Sequence, residues 1–361
     1  MVERQTRAHV EARIRAGILE QGTVDLLVEA GVAARMHAEG LPHDGVNLAV
    51  DGHLFRVDLR ALTGMGVLVY GQTEITRDLI AAAEARGGAP LFEAENVALN
   101  GVETDAPFLT FTRNDQPHRV DCGFIAGCDG QHGVSHAAIP EGGRRTFELA
   151  YPFGWLGILA DCPPCHEEVI YASHARGFAL ASMRSRSRSR YYIQVPIAER
   201  LEDWPDERLW GEIETRLGPD IGHRVSRAPA IEKSIAALRS RVSEPMRHGR
   251  LFLAGDAAHI VPPTGAKGLN LAAADARLLA AAIARYYRTG DTAQLDSYSD
   301  TALKRIWNAV RFSWWVTKLM HNFPDASPFE RRLQRAELDY IRASRAAQMS
   351  LAESYVGLPF R

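Results

Sequence analysis

An apolar strand that runs into a glycine-rich turn and a long helix is the part of the sequence best suited to chemistry. The strand, residues 251–254, ends at Gly255-Asp256, and residues 262–268 contain two adjacent prolines and two glycines before the helix. The first turn of a helix leaves backbone N–H groups unpaired at the positive end of its dipole, and glycines let a ligand approach the backbone closely. The segment therefore predicts an anion-binding site, with a plain strand–loop–helix connection as the alternative.

A short run of serines and arginines, residues 182–190, carries the next group of charges. Its composition is that of an arginine-serine repeat of the RNA-associated kind. The run is short, however, and it lies between the apolar stretches 178–180 and 191–195, which predicts a β-hairpin whose alternate residues face one side. Its arginines are therefore expected to be partly solvated and partly directed at an anionic ligand.

The segment Cys162-Pro-Pro-Cys165-His166 matches the spacing of a c-type haem attachment site and also that of a redox dithiol. Haem attachment requires export, for which the sequence shows no signal, and a redox dithiol is expected to open a helix, which the prolines disfavour. A proline-rich turn is the favoured interpretation, and metal binding or redox chemistry is the alternative. The four cysteines of the chain are too few for a disulfide scaffold.

These segments need strands and helices to position them. Strand-like runs are predicted at residues 67–70, 107–113 and 119–126. The first leads into a helix predicted over residues 74–86, with Thr73 as its N-cap, and the third ends at Cys128-Asp129-Gly130. The first run and the helix that follows it form a strand, turn and helix unit.

The composition changes near residue 148. From there to about residue 195, short β-like segments rich in aromatic residues predict a second domain built on a sheet, followed by a helix over residues 206–217. Beyond residue 269, apolar residues recur at helical spacing. The aromatic cluster of Phe312, Trp314 and Trp315 is expected in the core or in a subunit interface and not in a ligand site.

The overall composition excludes several classes of partner. The chain has 361 residues, of which 46% are hydrophobic and 24% charged, and its net charge is -2. This length suits two or three globular domains, and the small net charge gives no reason to bind nucleic acid or an anionic membrane. A small-molecule partner is expected. No apolar run is long enough to cross a bilayer, and charged residues follow Met1, which indicates the cytoplasm.

Together these segments resemble the single-component flavoprotein aromatic hydroxylases. Residues 250–270 resemble the second FAD-binding motif of that family, and Cys128-Asp129-Gly130 resembles its Asp-Gly motif. Further matching strings lie at residues 13–22, 70–74, 151–157 and 355–359, so that the resemblance spans nearly the whole chain.

The resemblance implies an α/β fold of the FAD/NAD(P)-binding, glutathione-reductase-like class. Residues 1–147 would form a parallel-sheet FAD-binding domain, residues 148–248 a substrate-binding sheet domain, and residues 249–361 an FAD-contacting strand and helix followed by a helical interface region.

The resemblance also implies a role for each matching residue of a substrate pocket. Ser182, Arg184 and Tyr192 fall where the family binds the substrate carboxylate, and an arginine fork with two hydroxyls suits that group. A benzoate is thus a natural ligand. Pro263 and Thr264 match the backbone and side chain that line the reacting face of the substrate ring.

A proton relay is implied by three further matches. Tyr171 and Tyr355 occupy the positions that contact the substrate's 4-hydroxyl and relay its proton, and His43 occupies the outer end of the relay. A phenolate is a far better electron donor than a phenol, and phenols ionise near pH 10, so the deprotonation must be assisted. A histidine, which ordinarily titrates near neutrality, suits the end of such a path.

The cofactors are matched in the same way. The family's FAD-contact positions hold Glu3, Arg13, Arg15, Gln72, Asp129, Asp256, Leu269 and Asn270, with Arg190 beside the flavin ring. A helix N-terminus near the flavin would stabilise the negative charge of its reduced form. The nicotinamide donor, NADPH or NADH, is matched by Arg4, His132 and Arg239. His136 stands where arginine is usual and His9 where an aromatic is usual, which leaves the donor preference open.

The start of the chain departs from the family. The family's fold normally opens with a strand, a G-x-G-x-x-G turn and a helix, a unit of about 30 residues, and the match begins only at the far end of that unit, around Glu3. Without the first strand and its helix N-terminus, flavin affinity is expected to fall severely. A truncated sequence or a misassigned start codon is the expected explanation.

The expected activity is the flavin-dependent hydroxylation of 4-hydroxybenzoate to 3,4-dihydroxybenzoate with NAD(P)H and O₂, without a metal, in a cytoplasmic homodimer. One alternative is a hydroxylase of another hydroxybenzoate or aminobenzoate. The other is a flavin-free remnant that only binds aromatic acids.

Overall fold

A computed structural model describes residues 1–13 and 17–357 of the chain. Arg15, predicted to contact FAD, and Leu358-Pro359, the end of a matching string, lie outside these residues. The helices are α1 (Arg7–Ala12), α2 (Gln21–Glu29), α3 (Ala34–Glu39), α4 (Leu59–Thr63), α5 (Gln72–Ala85), α6 (Val134–Ala137), α7 (Asp206–Leu217), α8 (Gly268–Thr289), α9 (Ala293–Asp296), α10 (Tyr298–Met320), α11 (Pro328–Ala343) and α12 (Arg345–Val356).

The strands alternate with these helices in the first half of the chain and cluster in its middle. They are β1 (Ile18–Leu19), β2 (Leu41–His43), β3 (Gly45–Val50), β4 (His53–Asp58), β5 (Val67–Val69), β6 (Glu95–Asn100), β7 (Phe108–Arg113), β8 (Gln116–Asp121), β9 (Ile125–Gly127), β10 (Arg145–Ala160), β11 (Ile170–Ser173), β12 (Ala179–Ser185), β13 (Arg188–Pro196), β14 (Ala230–Glu244), β15 (Arg247–His248), β16 (Leu251–Leu253) and β17 (His259–Ile260).

Two predicted helices are confirmed, one with a different start. Helix α7 has the predicted bounds, and its buried residues recur at helical spacing, so one face packs on the sheet domain. Helix α5 begins at Gln72, so Gly71 is its N-cap residue and the prediction that Thr73 caps it is wrong. The Thr73 hydroxyl instead donates to the Arg13 carbonyl oxygen at 2.8 Å.

An eight-stranded sheet in the order β17-β14-β10-β13-β12-β11-β3-β4 dominates the fold. Its neighbouring strands are antiparallel except for β11 and β3, which are parallel. The predicted hairpin over the serine-arginine run is confirmed, since β12 and β13 pair on either side of a turn at residues 186–187. Within this hairpin Arg190 is buried, Arg184 is half-buried and Arg186 is exposed.

Strand β10 passes through the predicted domain boundary near residue 148. Its first six residues, Arg145 to Ala150, are exposed, and from Tyr151 to Ala160 all but Pro152 are buried. The compositional change therefore coincides with the entry of the strand into the core. The division of the chain into three domains stays a prediction.

A small parallel pairing positions two glycine-containing turns. Strands β9 and β16 are parallel, with Gly127 opposite Leu253 in register. The segments that follow them, Cys128-Asp129-Gly130 and Ala254-Gly255-Asp256, consequently leave the same edge of the sheet. The carboxyl edge of parallel strands is where α/β folds bind ligands.

The C-terminal helices close one face of the large sheet. Phe312 on α10 and Tyr355 on α12 are buried in one core with Trp155 and Tyr171 of the sheet. Phe312 is thus a core residue as predicted, whereas Trp314 is partly exposed. Within residues 1–13 and 17–357, the helices include none that is long and apolar enough to span a membrane.

The cysteine pair lies directly after β10. Cys162 and Cys165 are buried free thiols in a segment of bends, without helix or strand, in agreement with the predicted proline-rich turn. Burial raises the pKa of both thiols, which disfavours reactive thiolates. In the described part of the chain, no group of three or more His, Cys, Asp or Glu side chains is arranged to hold a metal ion.

Candidate active site

A row of side chains across four strands forms the floor of the candidate site. Tyr171 of β11 lies opposite Leu180 of β12, Leu180 opposite Tyr192 of β13, and Tyr192 opposite Gly157 of β10. Tyr171 and Tyr192 are therefore two strands apart, roughly 10 Å at the usual strand spacing. Such a span holds one aromatic ring between two polar groups.

Two tyrosine hydroxyls meet at one end of this row. The hydroxyl oxygens of Tyr171 and Tyr355 are 3.3 Å apart, and both side chains are buried. Burial raises the pKa of Tyr171 to about 12, although its hydrogen bond to Tyr355 opposes the shift. Burial likewise holds the pKa of Tyr355 well above its ordinary value. Both groups are thus neutral hydroxyls that can donate and accept hydrogen bonds.

An arginine lies at the other end. Arg184 is half-buried on β12, and its Nη1 lies 3.4 Å from Ser182 Oγ and 3.2 Å from the Met183 carbonyl oxygen. Its Nε is buried without a hydrogen-bond partner, and burial lowers the pKa of the guanidinium. A cation with an unsatisfied buried donor suits an anionic ligand.

Arg190 and Tyr192 complete the arginine end. The Arg190 guanidinium lies 5.1 Å from the centre of the Tyr192 ring and donates to Glu232 Oε1 at 3.0 Å through both terminal nitrogens. Sequence reasoning assigned Arg190 to the flavin ring and missed this partner on β14. Gly157 leaves room for Tyr192, because a Cβ there would lie 2.7 Å from the tyrosine ring.

His43 is buried at the end of β2. Among the described residues it has no hydrogen-bond partner on either ring nitrogen. Burial lowers its pKa to about 4, while Glu168 opposes the shift, so the expectation that it titrates near neutrality is wrong for this state. No direct hydrogen bond joins it to Tyr171 or Tyr355 in the described chain.

The Gly-Asp turn is tied to the helix that follows it. Gly255 has φ 59°, in the region that favours glycine, and its N–H donates to Asp275 Oδ2 of α8 at 2.9 Å. The same carboxylate oxygen is 2.6 Å from His259 Nε2. Asp256 itself is exposed, so the turn presents a carboxylate from a fixed backbone.

The start of α8 has no side-chain cap. Its N-cap residue, Lys267, makes no side-chain capping bond. At Gly268 an added Cβ would have only Val261 Cγ2 within 4 Å, at 3.9 Å, so the first turn is open. Leu269 is half-buried, and the buried Asn270 side chain accepts from the Glu20 N–H at 2.9 Å. Helix α8 is thereby locked against the start of α2.

The loop before α8 carries the residues predicted to line the reacting face. Pro263 is exposed and Thr264 is fully buried in a short 3-10 helix, Pro263–Gly265. Thr264 Oγ1 lies 2.9 Å from Thr317 Oγ1 of α10. The Thr264 side chain is therefore held by α10, and Pro263 is free to contact a ligand.

Sequence reasoning missed a buried ionic cluster next to Tyr355. Lys267 Nζ lies 2.6 Å from Glu20 Oε1 and donates to the Tyr355 carbonyl oxygen at 2.9 Å. Arg305 Nη2 lies 3.1 Å from the other oxygen of Glu20. A lysine between glycines in an apolar stretch was the only signal, since the partners lie far apart in the sequence. The cluster fixes α12 beside the loop that precedes α8.

The remaining predicted cofactor residues are exposed or half-buried. The Glu3 N–H donates to the Leu91 carbonyl oxygen at 2.8 Å, and Arg4, Arg13 and His132 are exposed. Asp129 Oδ2 accepts from the Ser135 N–H at 2.9 Å. The side chain of Gln72, which opens α5, is half-buried.

A cationic patch surrounds His136. Arg144 Nη1 lies 3.0 Å from His136 Nδ1, and Arg241 Nη2 lies 2.7 Å from His136 Nε2. Burial and these two arginines lower the pKa of His136, so it is neutral beside them. Arg239 lies two positions before Arg241 on β14, and its Nη1 is 3.6 Å from Glu148 Oε1.

Comparisons with known proteins identify the family. The family model described as FAD binding domain matches residues 1–313. The p-hydroxybenzoate hydroxylase of Acinetobacter baylyi (strain ATCC 33305 / BD413 / ADP1) is 52% identical over 361 residues, covering 100% of this chain and 89% of the relative. A 3-(3-hydroxy-phenyl)propionate/3-hydroxycinnamic acid hydroxylase of Mycobacterium sp. (strain KMS) is 28% identical over 270 residues, 72% of this chain and 42% of the relative.

Solved structures share the fold at low identity. The p-nitrophenol 4-monooxygenase from Pseudomonas putida DLL-E4 superposes with a TM-score of 0.81 at 16% identity, covering 99% of this chain and 92% of that one. An aklavinone-11 hydroxylase in a ternary complex with FAD and aklavinone gives a TM-score of 0.74 at 20% identity, covering 91% and 67%.

Proposed function

Because the chain belongs to the FAD-binding family of flavoprotein aromatic hydroxylases, we propose that it hydroxylates 4-hydroxybenzoate to 3,4-dihydroxybenzoate with NAD(P)H and O₂. The observation that carries the proposal is the row from Tyr171 to Tyr192, which has a buried pair of neutral hydroxyls at one end and an arginine at the other. The first group suits a phenol and the second suits a carboxylate.

The residues present fit FAD. The open backbone at Gly268 and the uncapped start of α8 are suited to the electron-rich edge of a flavin ring. The exposed Asp256 carboxylate is suited to accept hydrogen bonds from the hydroxyl groups of the flavin's side chain. Leu269, Asn270, Gln72, Asp129, Glu3 and Arg13 are the other described residues that would hold it. When bound, the flavin would take electrons from the nicotinamide donor and, with O₂, supply the oxygen atom that enters the substrate ring.

Substrate binding begins at the arginine end. The Arg184 guanidinium, with its unused Nε, would bind the carboxylate together with the Tyr192 hydroxyl. The Ser182 hydroxyl, which donates to the Arg190 carbonyl oxygen at 3.1 Å, would turn to the carboxylate when the ligand binds. This contact leaves the hydroxyl of the substrate at the Tyr171 end of the row. Pro263 would then face the substrate ring, because its side chain is exposed beside the uncapped helix.

Proton removal takes place at the tyrosine end. The substrate hydroxyl would donate to Tyr171, whose own hydroxyl proton can pass to Tyr355 across 3.3 Å. A neutral His43 can accept a proton on one ring nitrogen and release one from the other, with water bridging the gap to the tyrosines. The relay would thus deliver a phenolate, which donates electrons to an electrophilic oxygen far better than a phenol does.

The nicotinamide donor would bind at the cationic surface. Arg4, His132 and Arg239 are the residues proposed for it, and the arginines around His136 add positive charge beside Arg239. That charge suits the phosphates of either donor. His136, neutral between two arginines, replaces the usual arginine, so both donors need to be compared in the assay.

Oxidation of NADPH and of NADH by the purified protein with added FAD tests the proposed function. With 4-hydroxybenzoate present, donor consumption is expected to rise by at least about tenfold and to yield 3,4-dihydroxybenzoate, detected by chromatography. A hydroxylase of another ring would respond instead to a different hydroxybenzoate or aminobenzoate. Binding of 4-hydroxybenzoate without any donor consumption would identify a binding protein and refute the proposal.

We also propose that the protein is a cytoplasmic homodimer that associates through α11. Phe329, Leu333 and Tyr340 on this helix are 71%, 53% and 56% exposed, and with Ala336 they recur at a spacing of four, three and four residues. That spacing places them on one face, and a contiguous exposed apolar stripe is typical of an association surface. All four cysteines are free thiols, as is usual in a reducing compartment.

Replacing Leu333 with aspartate is expected to convert the dimer into a monomer, because a charge in the middle of the apolar stripe would have to be desolvated on association. Light scattering coupled to size-exclusion chromatography measures the mass, which for one chain is 39.8 kDa. Arg342→Asp, at an exposed position off the stripe, is the control and is expected to leave the dimer intact. A Leu333→Asp protein that keeps twice the chain mass contradicts the assignment of the interface.

A further inference from the structure

His321, which no step of the proposed reaction uses, is completely buried behind the substrate row. Its Nε2 accepts a hydrogen bond from Trp155 Nε1 at 2.7 Å, and its Nδ1 lies 3.0 Å from the Thr317 carbonyl oxygen. Since an indole nitrogen can only donate and a carbonyl oxygen can only accept, the imidazole must carry its proton on Nδ1. One neutral tautomer is therefore fixed by the neighbours.

The rings around His321 lead directly to the carboxylate end. The imidazole stacks on Phe178 and Phe153, with ring centres 4.2 Å and 4.8 Å away. Trp155, the donor to His321, packs against the Tyr192 ring at 5.0 Å and an interplanar angle of 43°. His321 therefore holds Trp155, and Trp155 contacts Tyr192, the tyrosine proposed to bind the carboxylate.

Trp155 forms one side of the space that holds the Tyr192 ring. Gly157 lies directly against the ring, where an added Cβ would be 2.7 Å from a ring carbon, and the Arg190 guanidinium lies 5.1 Å from the ring centre. An indole that rotated away would let the Tyr192 ring tilt off the line that joins it to Ser182 and Arg184. A fixed indole therefore sets the geometry of the carboxylate pocket.

The same imidazole is anchored to the opposite wall of the site. Thr317 accepts from His321 through its carbonyl oxygen and holds Thr264 through its hydroxyl, at 2.9 Å. Burial lowers the pKa of His321 to about 3, so the arrangement does not change over the physiological pH range. The connection from Thr264 through Thr317, His321 and Trp155 to Tyr192 joins the two sides of the pocket.

We propose that His321 is a positioning residue that fixes Trp155 against Tyr192 and thereby selects for ligands with a carboxylate. The inference rests on the proposed function, since it assigns the carboxylate to the Tyr192 end. It is separate from the flavin site, because none of the contacts of His321 described above involves the Gly255-Asp256 turn or the first turn of α8.

The backbone at His321 is held independently of its side chain. Gln334 Nε2 donates to the His321 carbonyl oxygen at 2.9 Å, and Gln194 Oε1 accepts from the Asn322 N–H at 3.0 Å. Substitution of the imidazole should therefore leave the path of the chain intact. This allows the side chain to be tested by itself.

The test compares wild type, His321→Leu, His321→Gln and His321→Asn, each purified and supplied with FAD. Calorimetry gives the Kd of 4-hydroxybenzoate and of its uncharged analogue 4-hydroxybenzamide, and turnover gives KM and kcat. We expect the leucine variant to weaken 4-hydroxybenzoate binding and to raise KM by about tenfold, with little change in kcat or in carboxamide binding. Glutamine, which can accept from Trp155, should restore most of the affinity, whereas asparagine should behave like leucine.

Equal weakening of both ligands, or a glutamine variant no better than leucine, would assign His321 a general packing role and overturn the proposal. If the leucine variant does not fold, Trp155→Phe, which removes the indole donor, must show the same carboxylate-selective loss. The proposed function is judged separately, by whether wild type binds and hydroxylates 4-hydroxybenzoate. If wild type is active and the variants distinguish 4-hydroxybenzoate from 4-hydroxybenzamide as well as wild type does, only the inference about His321 is refuted.

Discussion

Replacing Tyr171 with phenylalanine is expected to lower the rate of 3,4-dihydroxybenzoate formation by about 100- to 10,000-fold, the usual contribution of a positioned proton acceptor. The substitution removes the hydroxyl that lies 3.3 Å from Tyr355 and leaves the ring in place. The substrate would then remain a phenol, whose pKa lies near 10 in water. Product formation at pH 7 under saturating 4-hydroxybenzoate measures the effect.

Two comparisons make this prediction specific. Tyr191→Phe removes a buried hydroxyl from a tyrosine of β13 whose ring packs edge-to-face against Trp210, and this variant should keep the wild-type rate. Because the missing relay makes ionisation of the substrate the slow step, the Tyr171→Phe rate should rise with pH toward the pKa of the bound phenol. A variant that forms product at the wild-type rate at pH 7 rules out the tyrosine relay.

Replacing Arg184 with leucine is expected to raise the Kd of 4-hydroxybenzoate about 30- to 5,000-fold, which corresponds to about 2–5 kcal/mol for the loss of one partner of a buried charged hydrogen bond. The Nε of Arg184 has no partner in the described chain, so a ligand carboxylate would satisfy it. Equilibrium titration in the presence of FAD gives the Kd directly.

The charge and the shape of Arg184 can be separated. Arg184→Lys keeps a cation but loses the planar fork, and it should fall between wild type and the leucine variant. Arg186→Leu removes an exposed arginine in the turn of the same hairpin and should leave the affinity unchanged. Loss of affinity in both leucine variants to the same extent would point to the net charge of the hairpin and against a specific carboxylate contact.

Local features of the fold could be predicted because they are encoded in short stretches. The apolar spacing of residues 206–217 gave the bounds of α7, and the flanks of the serine-arginine run gave the β12–β13 hairpin. The start of α5 was misplaced because Gly71 is the N-cap residue in place of Thr73, two positions further along the chain. Capping depends on backbone geometry as well as on residue type.

The geometry of the site could not be predicted, because its contacts join distant residues. Arg190 donates to Glu232 on another strand of the sheet, and Lys267 donates to Glu20, which lies 247 positions earlier in the chain. The burial that lowers the pKa of His43 to about 4 is likewise a property of the packed structure. A resemblance identifies such residues, but only the folded structure shows which partners they contact.

The separation of Tyr171 and Tyr355 by 184 positions also has a consequence for biosynthesis. A nascent polypeptide can complete the large sheet, with Tyr171 and Arg184 in place, long before the ribosome reaches α12. Until α12 docks, a growing chain could bind an aromatic acid but would lack the Tyr355 hydroxyl that accepts the proton from Tyr171. Competence for oxidation would therefore be acquired only after α12 has been translated and has docked.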